Sequence, residues 1–440
     1  MIKRFFTFTM AAALCVAATV ARCPLDIKNG DQASVGIYVA PVNGGKALVD
    51  YDSNRLMLPA STMKSVTVAA ALSKMGGDYR WTTTVKATGK VDSSGVLQGN
   101  LLVTGSGDPT LGSTHFAKKV PSFLKTLEDA AAKHGIKSVA GKTTNAAAWP
   151  GQGPVPSWEL EDVPGQDGAG YYRLNWMDNV FTLRYPSMKS DPPQPDLEVQ
   201  RGAKSGSLSV WRNAGSNVIT VSGGLGKGQS AASITCSMPN PPKVLLHEID
   251  SLLHVKGGNV NPGSETAMVF TYQSPALRDV CRSLMVRSDN QFAEATLRLL
   301  SLGSSRKSAI STERNILTTK GANLSGARIA DGSGLSRHNA LSPRHLTSVL
   351  RVMADNQDYV NSFARVGIEG TVKSFMKDMP NSSDIVLKSG SMTGVVCYCG
   401  YRLDPQTRKP THVIAVMVNN ASDSSQARAQ IAKFLSGLQF

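Results

Sequence analysis

Pro59-Ala60-Ser61-Thr62-Met63-Lys64 opens a run rich in Ala, Val and Leu that reaches Met75 and stops before Gly76-Gly77. The pattern predicts a helix whose first turn carries both Ser61 and Lys64. Residues three apart on a helix are neighbours, so this spacing places the Lys64 amine beside the Ser61 hydroxyl. A serine hydroxyl is a poor nucleophile at neutral pH. An amine held close to it, partly desolvated, can lose its proton and act as the base. At a helix start the free N–H of Ser61 can also help bind an oxyanion. Taken alone, S-x-x-K recurs by chance as an exposed serine near a solvated lysine, so its meaning depends on the rest of the chain.

Two further stretches give it that meaning. Ser288-Asp289-Asn290 lies between two predicted helices, where a tight turn can present a hydroxyl and an amide to one cleft. The same residues also suit a cap on the helix that begins at Gln291. Lys388-Ser389-Gly390-Ser391 ends the apolar strand Asp384 to Leu387 and supplies a cation and a hydroxyl, with Gly390 expected to let a substrate chain approach the backbone. S-x-x-K, S-D-N and K-T-G, in this order, make up the motif set of penicillin-binding proteins and serine β-lactamases, which the chain resembles with Ser389 at the threonine position.

Four more stretches narrow the resemblance: Gly105 to Leu111 (GSGDPTL), Asn175 to Asn179 (NWMDN), Asp331 to Arg337 (DGSGLSR) and Gly390 to Val395 (GSMTGV). With them the chain resembles the low-molecular-mass class C penicillin-binding proteins, the D-alanyl-D-alanine carboxypeptidase/endopeptidase family. The resemblance implies an α/β (α+β) serine β-lactamase/transpeptidase-like catalytic domain with a large strand-rich inserted region. It implies that Ser61 is the nucleophile, Lys64 the general base and Ser288 a proton relay. Asn290 would position the substrate amide, Lys388 and Ser389 would hold a terminal carboxylate, and the backbone N–H of Ser391 would join that of Ser61 in receiving the oxyanion. The implied partners are peptidoglycan peptides as substrate and β-lactam antibiotics as covalent inhibitors. The chain departs from the family at Ser389, where threonine is usual; the hydroxyl is kept. A class A β-lactamase would need an extra glutamate, for which Glu159 and Glu161 are the candidates. A non-catalytic envelope protein would not need the reactive groups that all three motifs retain.

The organisation fits an interrupted catalytic domain. Residues 22–85 and 272–440 are expected to form it, around an insertion at 86–271 with a nested module at about 149–215. Strands are predicted at Ser34 to Pro41 and Lys46 to Tyr51, joined by Asn43-Gly44-Gly45. In the insertion, Trp81 to Lys86, Val96 to Thr104 and Asn217 to Ser222 read as strands, interrupted by one helix at about Phe116 to His134. Helices are then predicted at Ser274 to Val286, Gln291 to Leu302 and Pro343 to Asn356, followed by strands at Ile385 to Lys388, Val395 to Leu403 and His412 to Asn419. A last helix spans Ser424 to Leu438, with Ala427, Ile431, Phe434, Leu435 and Leu438 on one face.

Composition excludes several function classes. With 41% hydrophobic and 18% charged residues, the 440-residue chain reads as globular and long enough for more than one core. Lys3 and Arg4 precede an uncharged run from Phe5 to Val20, and Thr19-Val20-Ala21 offers a cleavage site, so residues 1–21 are expected to be an export signal and the protein periplasmic or otherwise in the cell envelope. The formal charge of +15 favours the anionic envelope over nucleic acid, since basic residues form no block interleaved with aromatics. Any membrane association is expected to be peripheral. Five cysteines remain beyond the signal, an odd number, with Cys397 and Cys399 expected side by side in a core. Neither these nor the seven histidines show a ligand spacing, and no metal or cofactor is expected. Gly135 with Gly141-Lys142-Thr143 has the wrong spacing for a phosphate loop.

Overall fold

The computed structural model describes residues 23–28 and 32–440, so the expected export signal lies outside the described residues. β1 (Ser34–Pro41) and β2 (Val49–Tyr51) pair as an antiparallel hairpin. A 3-10 turn at Ala60–Thr62 then leads into α1 (Met63–Met75), which stops at Gly76 with φ of 75°. Every residue from Met63 to Leu72 is buried. A helix enclosed on all sides must be apolar almost all round, as this one is, and the single cation on its buried stretch, Lys64, needs a reason to be there.

The chain next leaves this body. β3 (Thr82–Val91) and β4 (Val96–Gly105) pair antiparallel, with Thr83, Val85 and Ala87 on one strand and Leu97, Leu101 and Val103 on the other turned inward at the two-residue period of a strand. α2 (Phe123–Lys133) follows, and β5 (Ser138–Val139) and β6 (Thr143–Asn145) add to β4 in parallel. β7 (Val180–Tyr185), β8 (Lys189–Asp191), β9 (Glu198–Arg201), β10 (Ser209–Trp211), β11 (Val218–Ser222) and β12 (Ala232–Ser237) build two small sheets, ordered β12-β7-β8 and β10-β11-β9. Strand pairings therefore cross position 215, where the nested segment was expected to end. After α3 (Pro241–Leu252), β13 (Thr266–Gln273) returns alongside β3.

α4 (Leu277–Arg287), α5 (Asn290–Leu299), α6 (Arg306–Thr319), α7 (Pro343–Val352) and α8 (Gln357–Val360) then gather around α1. β14 (Ala364–Arg365), β15 (Ile385–Met392), β16 (Val395–Leu403) and β17 (Pro410–Asn419) join the N-terminal hairpin in one sheet ordered β14-β15-β16-β17-β1-β2. α9 (Ser424–Ser436) closes the far face. Alternation sorts the central strands: Cys397, Cys399, Tyr401, Val413, Ala415 and Met417 share a core with α1, whereas Val396, Tyr398, Ile414, Val416 and Val418 share one with Ala427, Ile431 and Leu435 of α9. The result is an α/β layer structure assembled from both ends of the chain.

Several elements differ from expectation for local reasons. The helix expected from Phe116 begins at Phe123, because Pro121 precedes it and Ser122 supplies the cap. α3 was not anticipated, although Asn240 caps it and prolines fill its first positions. α6 buries only Ala309, Glu313 and Leu317, too thin an apolar stripe to read. The helix expected to run to Asn356 breaks after Val352, and Asn356 instead caps α8.

Candidate active site

Ser61 follows Ala60, whose φ of 45° is left-handed. Such a conformation costs a non-glycine residue about 1–3 kcal/mol and marks a turn held by its surroundings. Thr62 Oγ1 pins that turn by donating to Pro59 O at 2.6 Å. Gly390 permits it: a Cβ there would lie 2.7 Å from Pro59 O and 3.1 Å from Ser61 N. The glycine expected to admit a substrate is thus required by the packing of β15 against the turn that bears Ser61.

Lys64 is fully buried, and its amine has three partners, Ser61 Oγ at 2.9 Å, Asn290 Oδ1 at 2.6 Å and Ser333 O at 2.7 Å. An ammonium has three donors, so the set is complete. Burial lowers its pKa to about 8, against the opposing pull of Asp331, Asp289, Glu294 and Asp167.

Ser288 caps α4 in the left-handed conformation, φ 64°. Asp289 then caps α5, accepting from Phe292 N at 3.0 Å. Both readings of Ser-Asp-Asn therefore hold at once: the cap builds the turn, and the turn turns its flanking side chains toward the cleft. Asn290 Nδ2 donates to Asp167 O at 2.9 Å, which ties the inserted region to the wall of the site.

Lys388 is fully buried and donates to Ser288 Oγ at 2.9 Å and to Ser389 O at 2.6 Å. Burial first, then the charge of Lys64, pushes its pKa well below the usual lysine value. The amine so placed meets Ser288 beneath the cavity and does not line it, whereas the resemblance implied a contact with a terminal carboxylate. Ser389 Oγ lies 2.6 Å from Thr371 Oγ1. β14 pairs with Val386 and Leu387 only, so among the described residues the edge of β15 at Ser389 to Ser391 is unpaired, and Ser391 is exposed. An extended peptide can add to such an edge.

An open cavity of about 340 Å³ is lined by Ser61, Ser288, Asn290, Ser389, Gly390 and Ser391. The residues expected at the site are therefore brought together, Lys64 and Lys388 from just beneath it, although Ser61 and Ser391 stand 330 positions apart in the sequence. The cavity also exposes Asp167, Thr371, Tyr398 and Arg428, which sequence reasoning missed. Ser333 was missed for a different reason. It contributes a backbone carbonyl, which leaves no residue-type signature, although its stretch Asp331 to Arg337 had been noticed.

The other stretches have structural work. Asn175 Nδ2 donates to Gly107 O and Asp108 O at 3.3 and 3.1 Å, locking GSGDPTL to NWMDN. Glu159 pairs with Arg337, and neither Glu159 nor Glu161 lines the cavity. All five described cysteines are free thiols, with Cys397 and Cys399 buried on the α1 side of the sheet.

A half-buried serine on a fully buried lysine, a second serine–lysine pair and an open strand edge surround one cavity, an arrangement that can support acyl transfer. Comparison with known proteins shows the family of the chain. Residues 16–438 match the model of the D-Ala-D-Ala carboxypeptidase 3 (S13) family. The chain is 24% identical to the D-alanyl-D-alanine carboxypeptidase DacB of Haemophilus influenzae, over 98% of this chain and 95% of that one. The crystal structure of penicillin-binding protein 4 (dacB) from the same organism superposes with a TM-score of 0.76 at 22% identity, covering 93% of this chain and 96% of that one. Its complex with a β-lactam superposes at 0.72, at 22% identity over 93% of this chain and 95% of that one. A predatory peptidoglycan endopeptidase from Bdellovibrio bacteriovorus, Bd3459, superposes at 0.52 with 16% identity over 91% of this chain and 90% of that one. The match to the family model spans nearly the whole chain, and the chain belongs to the D-Ala-D-Ala carboxypeptidase 3 (S13) family of serine-type hydrolases.

Proposed function

We propose that this D-Ala-D-Ala carboxypeptidase works through an acyl-enzyme on Ser61, that it also opens D-alanyl cross-links of peptidoglycan, and that penicillins acylate the same serine. The observation that carries the proposal is the Lys64 amine, 2.9 Å from Ser61 Oγ and lowered to a pKa of about 8. A base with a pKa near the working pH combines available neutral amine with useful proton affinity.

The peptide lies along the open edge of β15 with its carbonyl over Ser61. As Ser61 Oγ attacks the carbonyl carbon, its proton passes to Lys64 Nζ, and the N–H groups of Ser61 and Ser391 receive the oxyanion. Loss of one such donor costs about 3–4 kcal/mol in a comparable serine enzyme. The C–N bond then breaks, and the leaving amine takes a proton from the Ser288 hydroxyl, which Lys388 re-supplies. A lowered pKa makes the Lys388 ammonium a readier proton donor to Ser288 than an ordinary lysine. Water attacks the ester and gives its proton through Ser288 to Lys388, and as the ester C–O bond breaks Lys64 returns its proton to the Ser61 oxygen and the acyl peptide leaves. Ser389 and Thr371 offer hydroxyls to the substrate carboxylate, and Arg428 offers the exposed cation that the buried Lys388 does not.

The β-lactam complex of the Haemophilus protein and the endopeptidase activity named for Bd3459 support the penicillin and cross-link readings by fold likeness. Export of the chain, through cleavage near Ala21, is part of the same proposal. The test is intact-mass spectrometry after incubation with benzylpenicillin, alongside product analysis on cross-linked wall fragments. One lasting adduct per chain, absent from Ser61→Ala, is expected, together with release of D-alanine and separation of cross-linked strands. An adduct on Ser61→Ala would overturn the nucleophile assignment, and rapid release of hydrolysed drug would favour a β-lactamase.

A further inference from the structure

Behind Lys64 stands a group of buried acids that the acyl-transfer steps do not use. Asn290 and Glu294 lie one turn apart on α5, both buried. Asn290 reaches Lys64 directly. Glu294 takes the backbone that faces Lys64 from the other side: its Oε1 accepts the N–H groups of Gly332 and Ser333, each at 2.9 Å. The carbonyl of that same Ser333 receives Lys64 Nζ at 2.7 Å.

The loop has little other freedom. Asp331 accepts from Gly334 N at 2.8 Å and Ser336 N at 2.7 Å, and Thr67 of α1 donates to Gly332 O at 2.9 Å. Gly334 has φ of 84°, and a Cβ there would lie 1.9 Å from Ala60 O, so the loop is wedged against the turn that precedes Ser61. The charged groups around Glu294 are Lys64 from α1, Asp331 from the loop, Arg306 and Glu313 from α6, and Arg298 on α5 itself.

We propose that Glu294 is a positioning residue for acyl transfer: by gripping the Gly332 and Ser333 amides it aims the Ser333 carbonyl at Lys64 and so fixes the amine against Ser61. The inference rests on the reading of Lys64 as the base. Glu294 also carries charge toward that amine. Burial, then Asp331, raises its pKa to about 7, so it is largely ionised in the alkaline range where Lys64 loses its proton.

The experiment compares penicillin acylation by the full chain and by Glu294→Gln, Glu294→Ala and Lys64→Met, from pH 5 to 10, with thermal melts to confirm folding. The glutamine oxygen can still accept both N–H groups, so Glu294→Gln should keep the plateau rate. Its acid limb should move to lower pH, because a negative charge that supported the Lys64 ammonium is gone. Glu294→Ala should lose the grip, with a plateau about 10- to 100-fold lower and little change in penicillin affinity. A Glu294→Ala plateau equal to the parent's would overturn the positioning role, and a Glu294→Gln acid limb that coincides with the parent's would overturn the charge that Glu294 carries toward Lys64. If Lys64→Met acylates as fast as the parent, the underlying reading of Lys64 falls. If it is inactive while Glu294→Ala keeps the parent's plateau, only the role of Glu294 falls.

Discussion

Two buried asparagines, one in each region of the molecule, use both ends of the same side chain and do different work. Asn175 of the inserted region accepts from Tyr172 N at 2.9 Å and Asn179 Nδ2 at 2.7 Å, and donates to the carbonyls of Gly107 and Asp108. Asn290 of the catalytic body accepts from Lys64 and donates to Asp167 O. Both satisfy a buried amide, as burial demands. Of the two, Asn290 alone does so on a group that can gain and lose a proton, and that partner stands beside the Ser61 hydroxyl. A family-like stretch therefore marks a fixed geometry, and the geometry becomes chemistry where a titratable amine converges on it.

The sharpest way to break this contrast is to remove the amine. Lys64→Ala should lower acylation by about 10²- to 10⁴-fold, the range expected for loss of a general base, as measured by stopped-flow with a chromogenic β-lactam. A rate within threefold of the parent would place the chemistry elsewhere. The parent's own pH profile makes the same point without mutation. Since the neutral amine is the reactive form, the rate should rise about tenfold per unit below a pKa of about 8 and level off above it. A flat profile from pH 6 to 9 would contradict a titrating Lys64.

What the sequence disclosed follows the same division. Ser61, Ser288, Asn290 and Ser389 meet the cavity at fixed spacings, and Lys64 and Lys388 fall in recognisable motifs, so the converging site was legible. The body was legible too, since strands such as Val395–Leu403 and helices such as Met63–Met75 carry clear apolar runs. Less was legible where backbone does the work. The carbonyl of Ser333 has no signature, and the role of Gly390 depends on a neighbour more than 300 positions away, the carbonyl of Pro59. Thr371 and Arg428 reach the cavity only through tertiary packing. In the insertion, β8 and β10 are three residues each, too short for a periodic pattern.

A smaller effect, of the opposite kind, is expected in the inserted region. Asn175→Ala removes a side chain that satisfies two N–H donors and two carbonyls, and should cost about 1–3 kcal/mol of stability. Measured by chemical denaturation, that loss should appear while the acylation rate of the folded protein stays within a few-fold of the parent's. Unchanged stability with a large loss of rate would mean that the joint between GSGDPTL and NWMDN serves the site directly.

The smallest predicted effect lies where stability and chemistry pull against each other in one residue. Ser288 holds a left-handed φ of 64° at the end of α4 so that its hydroxyl can meet the Lys388 amine at 2.9 Å. Alanine and glycine both delete that hydroxyl and leave the buried amine with one partner fewer, so the two variants should lose D-alanine release to the same extent. They differ in the backbone alone. Glycine adopts the left-handed region without steric penalty, whereas alanine retains it, so Ser288→Gly should be about 1 kcal/mol more stable than Ser288→Ala in paired denaturant titrations. Equal stabilities would show that the turn relaxes once the hydroxyl is gone, and that the Ser288–Lys388 contact, rather than the cap formed by Asp289, holds the strained conformation in place.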